Sequence, residues 1–159
     1  MRQRGCARSI QPTAPDPYSS RGTHVARKRL LLAEDHTEMA EHLRSLLGDY
    51  DVDIVLDGQG LIAAVNANMP DMIISDIAMP GISGLVAARD ILAMHPNLRI
   101  IFVSVRDEPA IIRKAIDEGA AGYVVKSDAG DELVDAVQAV LGGGHYVSSS
   151  ARAALKGGP

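Results

Sequence analysis

Met72-Ile73-Ile74-Ser75-Asp76-Ile77-Ala78-Met79-Pro80-Gly81 is the stretch from which the fold can be read. An apolar run ends in one carboxylate, and a Pro-Gly turn follows at once. As a strand, the run carries Asp76 out of the core and leaves it at the strand's carboxyl end. Pro80 biases Met79 towards extended geometry and removes a donor, while Gly81 permits the turn. A carboxylate at the mouth of a buried strand is either a cap for the next segment or a reactive group.

The same grammar recurs along the chain. Arg29-Leu30-Leu31-Leu32-Ala33 is a continuous apolar run, as expected of a strand buried on both faces, and it ends in Glu34-Asp35. A helix is expected from Thr37 to Leu47, with Met39, Leu43, Leu46 and Leu47 on one stripe and Gly48 closing it. Val52 to Val55 reads as a short strand ending at Leu56-Asp57, and Gly60 to Asn68 as a helix. Ser83 is placed to cap a helix running to about Met94. Arg99 to Val103 is a strand ending in Ser104. Pro109 opens a helix that runs to Glu118. Gly122 to Val125 is a strand ending in Lys126, and Asp131 to Leu141 a helix stopped by Gly142-Gly143-Gly144. Five strands and five helices in strict alternation predict an α/β parallel sheet, covered on both faces and joined by right-handed crossovers.

Composition narrows the function classes. Apolar residues make up 47% of 159 residues, with one Phe and no Trp, so Val, Ile, Leu, Ala and Met build the core. One cysteine, Cys6, excludes an internal disulfide framework and fits a reducing compartment. No apolar run approaches the roughly 18 residues of a membrane span, and the charged start is not followed by the apolar stretch of a signal peptide. Charge is unevenly spread. Residues 1–29 hold seven basic groups and one acidic, whereas the remainder holds nine basic and nineteen acidic. The folded part is therefore acidic, which argues against direct nucleic-acid binding by it. Residues 1–28 show no period, are rich in Arg, Ser, Pro and Gly, and are expected to be a disordered basic extension.

In an open parallel sheet, sites form outside the carboxyl ends of the strands. Four strands here end in polar groups: Glu34-Asp35, Asp76, Ser104 and Lys126. Three carboxylates on one edge repel, by about 4 kcal/mol for a pair about 4 Å apart at an effective dielectric near 20. A bound hard cation and the Lys126 ammonium are two ways to relieve this, and carboxylates with a carbonyl suit Mg²⁺. Singly, each group has a plain structural explanation, such as a helix cap at Glu34-Asp35. Together, each at its strand's end, they point to a site.

Leu31-Leu32-Ala33-Glu34-Asp35-His36, Ile74 to Gly84, Ile101-Phe102-Val103-Ser104 and Gly119 to Lys126 resemble the receiver domain of two-component response regulators over about residues 29–142. The resemblance implies the CheY-like, flavodoxin-like (βα)5 doubly wound sheet of strand order 2-1-3-4-5. It implies that Asp76 takes a phosphoryl group from a sensor histidine kinase, forming an acyl phosphate. By the same resemblance Asp35, Asp76 and the Ala78 carbonyl bind Mg²⁺, and Glu34 acts through water. Lys126 pairs with the phosphoryl oxygens, Ser104 hydrogen-bonds one of them, and Tyr123 changes rotamer with it. Such a chain is cytoplasmic and catalyses only its own phosphorylation and dephosphorylation. Ala78 and Arg106 flank the site and would tune the lifetime of the acyl phosphate. The position after Lys126 is Ser127, where many receivers carry Pro.

Leu141-Gly142-Gly143-Gly144-His145-Tyr146-Val147-Ser148, with Asp35-His36, resembles the receiver-to-linker junction of NarL/LuxR-type transcriptional regulators. Residues 143–159 are accordingly expected to be a linker-like tail, with some helical character from Ala151 to Lys156. Those regulators carry a helix-turn-helix domain after this junction, and the chain is read either as a stand-alone receiver or as a truncated one. A homodimer through the Pro109–Leu141 face is a family expectation. Two other readings compete. An aspartyl-phosphate phosphatase-like enzyme would want an acid two residues after the nucleophile, where Ala78 stands. A phosphorylation-independent interaction module would not need the full set of acid, hydroxyl and ammonium groups. Flavin or dinucleotide binding would want a Gly-rich turn after the first strand, where Glu34-Asp35-His36-Thr37 stands.

Overall fold

A computed structural model describes residues 26–157. The elements are β1 (Arg29–Ala33), α1 (Thr37–Leu46), β2 (Asp51–Val55), α2 (Gly58–Ala67), β3 (Met72–Ser75), α3 (Gly84–Met94), β4 (Arg99–Ser104), α4 (Pro109–Asp117), β5 (Gly122–Val125), a 3₁₀ turn (Lys126–Asp128), α5 (Ala129–Leu141), β6 (Tyr146–Val147) and α6 (Ser149–Gly157). The six strands form one sheet in the order β2-β1-β3-β4-β5-β6. Every pair is parallel. The expected order 2-1-3-4-5 is therefore the order found, with a sixth strand added at the β5 edge.

Successive side chains on a strand point to opposite faces, and both faces are covered. Leu31, Ile73, Ile100, Phe102 and Tyr123 pack with residues of α2, α3 and α4, and with Ala151 of α6. Leu30, Leu32, Met72, Ile74, Ile101, Val103 and Val124 pack with α1 and α5. This is why β1, β3, β4 and β5 read as unbroken apolar runs rather than alternating ones; β2, at the sheet edge, alternates Asp51, Asp53 with Val52, Ile54 and is only partly buried.

Local signals fix the helix starts. Asp57, read as a strand end, is the N-cap of α2, its carboxylate accepting from Gly60 N at 2.7 Å. Ser83 caps α3 by accepting from Val86 N at 3.2 Å. The helix expected at Asp131 starts at Ala129, because the 3₁₀ turn leads straight into it without a side-chain cap.

Two ends of the chain differ from expectation. Of residues 1–28, expected to be a disordered extension, 1–25 lie outside the described residues. Lys28 O, however, accepts from Asp51 N at 3.0 Å. Arg27 hydrogen-bonds the carbonyls of Gly48, Asp49 and Tyr50. At the other end, where a linker-like tail is expected, Tyr146–Gly157 adds β6 and α6 to the fold. Gly143, at φ 96°, turns the chain back along β5. A two-residue strand behind three glycines is too short to show a period. Among the described residues, no helix is long and apolar enough to cross a membrane.

Candidate functional site

The strand register brings the polar strand ends to one edge. Ala33, the last residue of β1, lies beside both Val55 of β2 and Ser75 of β3, and Ser104 lies beside Val125. The ladder runs one residue further on two strands. Glu34 N donates to Val55 O at 3.0 Å, and Asp76 N donates to Ala33 O at 2.9 Å. Both carboxylates are thus aimed by backbone hydrogen bonds before any side-chain contact is made.

Lys126 ties them together. Its ammonium lies 2.9 Å from Asp76 Oδ2 and 2.7 Å from Glu34 Oε1. Glu34 is 1% exposed and Asp76 5%, and the Lys126 side chain is 10% exposed. Ile77 N donates to the other Asp76 oxygen at 2.7 Å. Burial pushes the Asp76 carboxyl up and outweighs Lys126, with the nearby Glu34 charge adding to the rise. Burial acts on Glu34 too, but Lys126 and the His36 amide together outweigh it and hold that carboxyl below its ordinary value. Burial alone would lower Lys126, and its two carboxylate partners raise it instead.

Asp35 and His36 complete the acidic side. His36 Nδ1 is 3.1 Å from Glu34 Oε2 and 3.3 Å from Asp35 Oδ1. Glu34, Asp35 and His36 each offer one ligand atom within 4.8 Å of the others. Glu34 Oε1 and Asp35 Oδ1 are buried without a directed hydrogen bond; Lys126 Nζ lies 2.7 Å from the first and His36 Nδ1 3.3 Å from the second, both off the hydrogen-bonding angle. Oxygen donors with lone pairs to spare suit a hard cation, so these residues fit Mg²⁺. His36 is the site residue that sequence reasoning missed. Its place next to two acids was the available signal, but only the ring's orientation shows the contact.

Ser104 and Tyr123 meet on the loop after β4 rather than at Asp76 itself. Ser104 Oγ accepts from Arg106 N at 3.0 Å, and Tyr123 OH donates to Arg106 O at 2.7 Å. The Arg106 backbone is therefore held on both sides, while its guanidinium forks onto Glu108 at 2.9–3.2 Å. Tyr123 is fully buried. Burial pushes its phenol up to about 12. A phenol that ionises later in the folded state than in the unfolded one contributes stability present below about pH 10 and lost as pH rises towards 12. Tyr123→Phe should cost about 1 kcal/mol in urea unfolding at neutral pH, the net value of one hydrogen bond. It should also flatten the fall in stability over that alkaline window.

The turn after Asp76 is set by close approach. Gly84 N donates to Ile77 O at 2.8 Å. A Cβ on Gly84 would stand 1.9 Å from the Asp76 carbonyl oxygen and 3.0 Å from Ser75 Oγ. Ser75 Oγ donates to that same carbonyl at 2.7 Å. Gly84→Ala must shift backbone at the carboxylate itself. It should destabilise by about 3 kcal/mol, the upper range for overpacking, read by urea unfolding.

Of the residues singled out in the sequence, Glu34, Asp76 and Lys126 form one contact group, and Asp35 borders it with 23% of its side chain exposed. Ala78 sits on the exposed loop beyond Asp76. Ser104 and Tyr123 form a second group around Arg106. A recess of about 430 Å³ opens beside the site, lined by His36, Met39, His42, Val105 and Lys126.

Comparison with known proteins agrees with this geometry. Residues 30–138 match the response regulator receiver domain family. Response regulator UvrY of Escherichia coli O157:H7 is 33% identical over 124 residues, covering 76% of this chain and 57% of that protein. Response regulator GacA of Pseudomonas viridiflava is 32% identical over 124 residues, 76% of this chain and 58% of that protein. The chain thus spans little more than half the length of these relatives. Among solved structures, a LuxR-family two-component response regulator from Aurantimonas sp. SI85-9A1 superposes with a TM-score of 0.78 at 29% identity, over 82% of this chain and 96% of that one. The isolated receiver domain of RcsB from Salmonella enterica serovar Typhimurium, with a phosphomimetic beryllofluoride, gives 0.75 at 25% identity, over 82% and 99%. The buried acid pair bridged by a lysine at the strand ends, the strand order and these matches together place the chain in the response regulator receiver domain family.

Proposed function

We propose that Asp76 accepts a phosphoryl group from a sensor histidine kinase and that the resulting change in charge switches the β4–α4 region. The observation that carries this is the Lys126 ammonium, 2.9 Å from Asp76 Oδ2, at the mouth of the sheet. An Asp76 oxygen bonds to phosphorus while the phosphorus–nitrogen bond of the phosphohistidine breaks, and the imidazole leaves with the bonding pair. Such transfers need positioning and charge stabilisation more than covalent machinery. Lys126 meets the charge developing on the phosphoryl oxygens. Ser104 accepts from Arg106 N, which leaves its own proton free to donate to a phosphoryl oxygen. Asp35, Asp76 and the Ala78 carbonyl would hold Mg²⁺, with Glu34 acting through water. A bound Mg²⁺ supplies positive charge to the same oxygens.

Two states follow. Phosphorylation adds about two negative charges. Driving a population from 1:99 to 99:1 takes about 5.5 kcal/mol, the order of new charge-assisted bonds at Lys126 and Ser104. Because Ser104 and Tyr123 both grip Arg106, a shift of Ser104 reaches Tyr123 through one residue's backbone. The chain catalyses only its own phosphorylation and dephosphorylation, and works in the cytoplasm. Residues 29–142 form the receiver, and Ala78 and Arg106 flank the bound phosphoryl group. A homodimer through the Pro109–Leu141 face would use the outer side of α5, where Val134 is exposed, because β6 and α6 occupy the β5 edge and the side of α4. Light scattering with beryllofluoride should then show a mass increase that Val134→Glu abolishes.

The reading is tested by incubation with a small phosphodonor and Mg²⁺, followed by intact mass. One base-labile phosphoryl group is expected, and none with a chelator present or in Asp76→Ala. No adduct on the wild-type chain would favour a phosphorylation-independent binding module instead.

A further inference from the structure

The family match ends at residue 138, yet the segment beyond it reaches back to the site. β6 pairs with β5 only at Gly122↔Tyr146 and Tyr123↔Val147. Ser148 N adds one more backbone bond, to Tyr123 O at 2.9 Å. There the backbone ladder stops, and the Ser148 side chain takes over the next rung: its Oγ accepts from Val125 N at 3.1 Å. Ser148 is fully buried, so this bond is shielded from water. Val125 immediately precedes Lys126.

The other side of Lys126 is held from the same place. Asp128, two residues later, accepts from Ser150 N and Ser150 Oγ, both at 2.9 Å. Ser148 and Ser150 are themselves anchored, because Ala151 of α6 is buried against the cluster that holds Tyr123 and Ile112. Glu132, one turn further along, takes Tyr146 OH at 2.7 Å. The chain is thus held on both sides of Lys126 by one three-residue segment, through the Val125 amide before it and the Asp128 carboxylate after it, and the Lys126 side chain reaches from this clamp to Glu34 and Asp76.

We propose that Ser148 is a positioning residue for phosphoryl transfer: by holding Val125, and with Ser150 holding Asp128, it fixes where the Lys126 ammonium meets Asp76. This rests on the phosphoacceptor reading above. A displacement near 1 Å in a reacting constellation can cost as much as about a hundredfold in rate. Loss of one of two clamps should cost about tenfold.

The test uses the full chain at saturating Mg²⁺ with phosphoramidate as donor, and initial phosphorylation rates read by intact mass. Ser148→Ala should slow phosphorylation about tenfold and speed hydrogen exchange at the Val125 amide, and Ser148→Thr, which keeps the acceptor, should recover the rate. The double variant Ser148→Ala/Lys126→Ala should be no slower than Lys126→Ala alone, because the serine acts through the lysine. Losses that multiply, or wild-type rates in Ser148→Ala, overturn the proposal. A slow Lys126→Ala beside a fast Ser148→Ala overturns only the role of Ser148. A fast Lys126→Ala overturns the reading of the lysine and the proposal with it. If Ser148→Ala does not fold, Asp128→Ala releases the other clamp at a partly exposed position and is judged by the same comparisons.

Discussion

Asp76→Asn is expected to abolish the phosphoryl adduct and, at neutral pH, to make the protein more stable rather than less. The amide cannot attack phosphorus as a carboxylate does. The stability change follows from burial. Asp76 ionises less readily in the fold than in the unfolded chain. Its charge therefore disfavours the folded state once pH rises through the raised value, and stability from this group is greatest below the ordinary carboxylate value of 3.8. Asn removes that cost while Lys126 keeps Glu34 as a partner at 2.7 Å. A gain of about 1 kcal/mol at pH 7, seen as a higher Tm, is the expected size for relieving one unfavourable charge at a partly compensated site. The gain should shrink as pH falls and wild-type Asp76 becomes neutral. A lower Tm for Asp76→Asn across that range would show that the Lys126–Asp76 pair stabilises more than burial of the carboxylate costs.

Lys126→Ala should act in the opposite direction and more strongly. It leaves two buried carboxylates, Glu34 and Asp76, without their ammonium. Removing one partner of a buried ion pair typically costs about 3–5 kcal/mol, and about 3 kcal/mol is expected here, where the site is open at its mouth. Added Mg²⁺ should restore part of the loss, because a cation can take the place of the ammonium between the carboxylates. The variant should still bind the metal but fail to switch. Beryllofluoride should leave the exchange of α4 amides unchanged in Lys126→Ala and alter it in the wild type. Full switching in the variant would remove Lys126 from the mechanism. Glu34 gives an independent check. Its carboxyl is held low mainly because Lys126 and the His36 amide overcome burial. The stability it contributes is present above pH 4.5 and is lost as pH falls through its lowered value. That acid loss should disappear in Lys126→Ala.

Sequence made the sheet legible because every strand of the central core is buried on both faces. Leu30 to Ala33 and Met72 to Ser75 contain no alternation to misread, and the polar residue ending each run marks the edge where the site forms. The parallel sheet followed from strict alternation, its strand order from the resemblance to receiver domains, and the site from the coincidence of strand ends. What stayed hidden has a common cause. His36, Arg106 and Ser148 act through rotamers or single backbone hydrogen bonds, which leave no period. Arg106 reads as a flanking residue in sequence, but its backbone role, gripped by Ser104 and Tyr123, needs the folded loop. β6 is two residues long, and its place depends on the φ of Gly143 rather than on propensity. Asp57 looked like a strand end because a capping carboxylate and a strand-end carboxylate occupy the same place in sequence. The hydrogen bond to Gly60 N decides between them.

The most direct measurement is chemical mapping of the phosphorylated residue. The chain is treated with a small phosphodonor and Mg²⁺, reduced with borohydride, which converts an acyl phosphate to an alcohol, and then digested and sequenced by mass spectrometry. The account predicts homoserine at position 76 and unmodified Asp at position 35. Homoserine at Asp35, reduction at Glu34, or no reduced residue on a chain that had gained a phosphoryl group would contradict it.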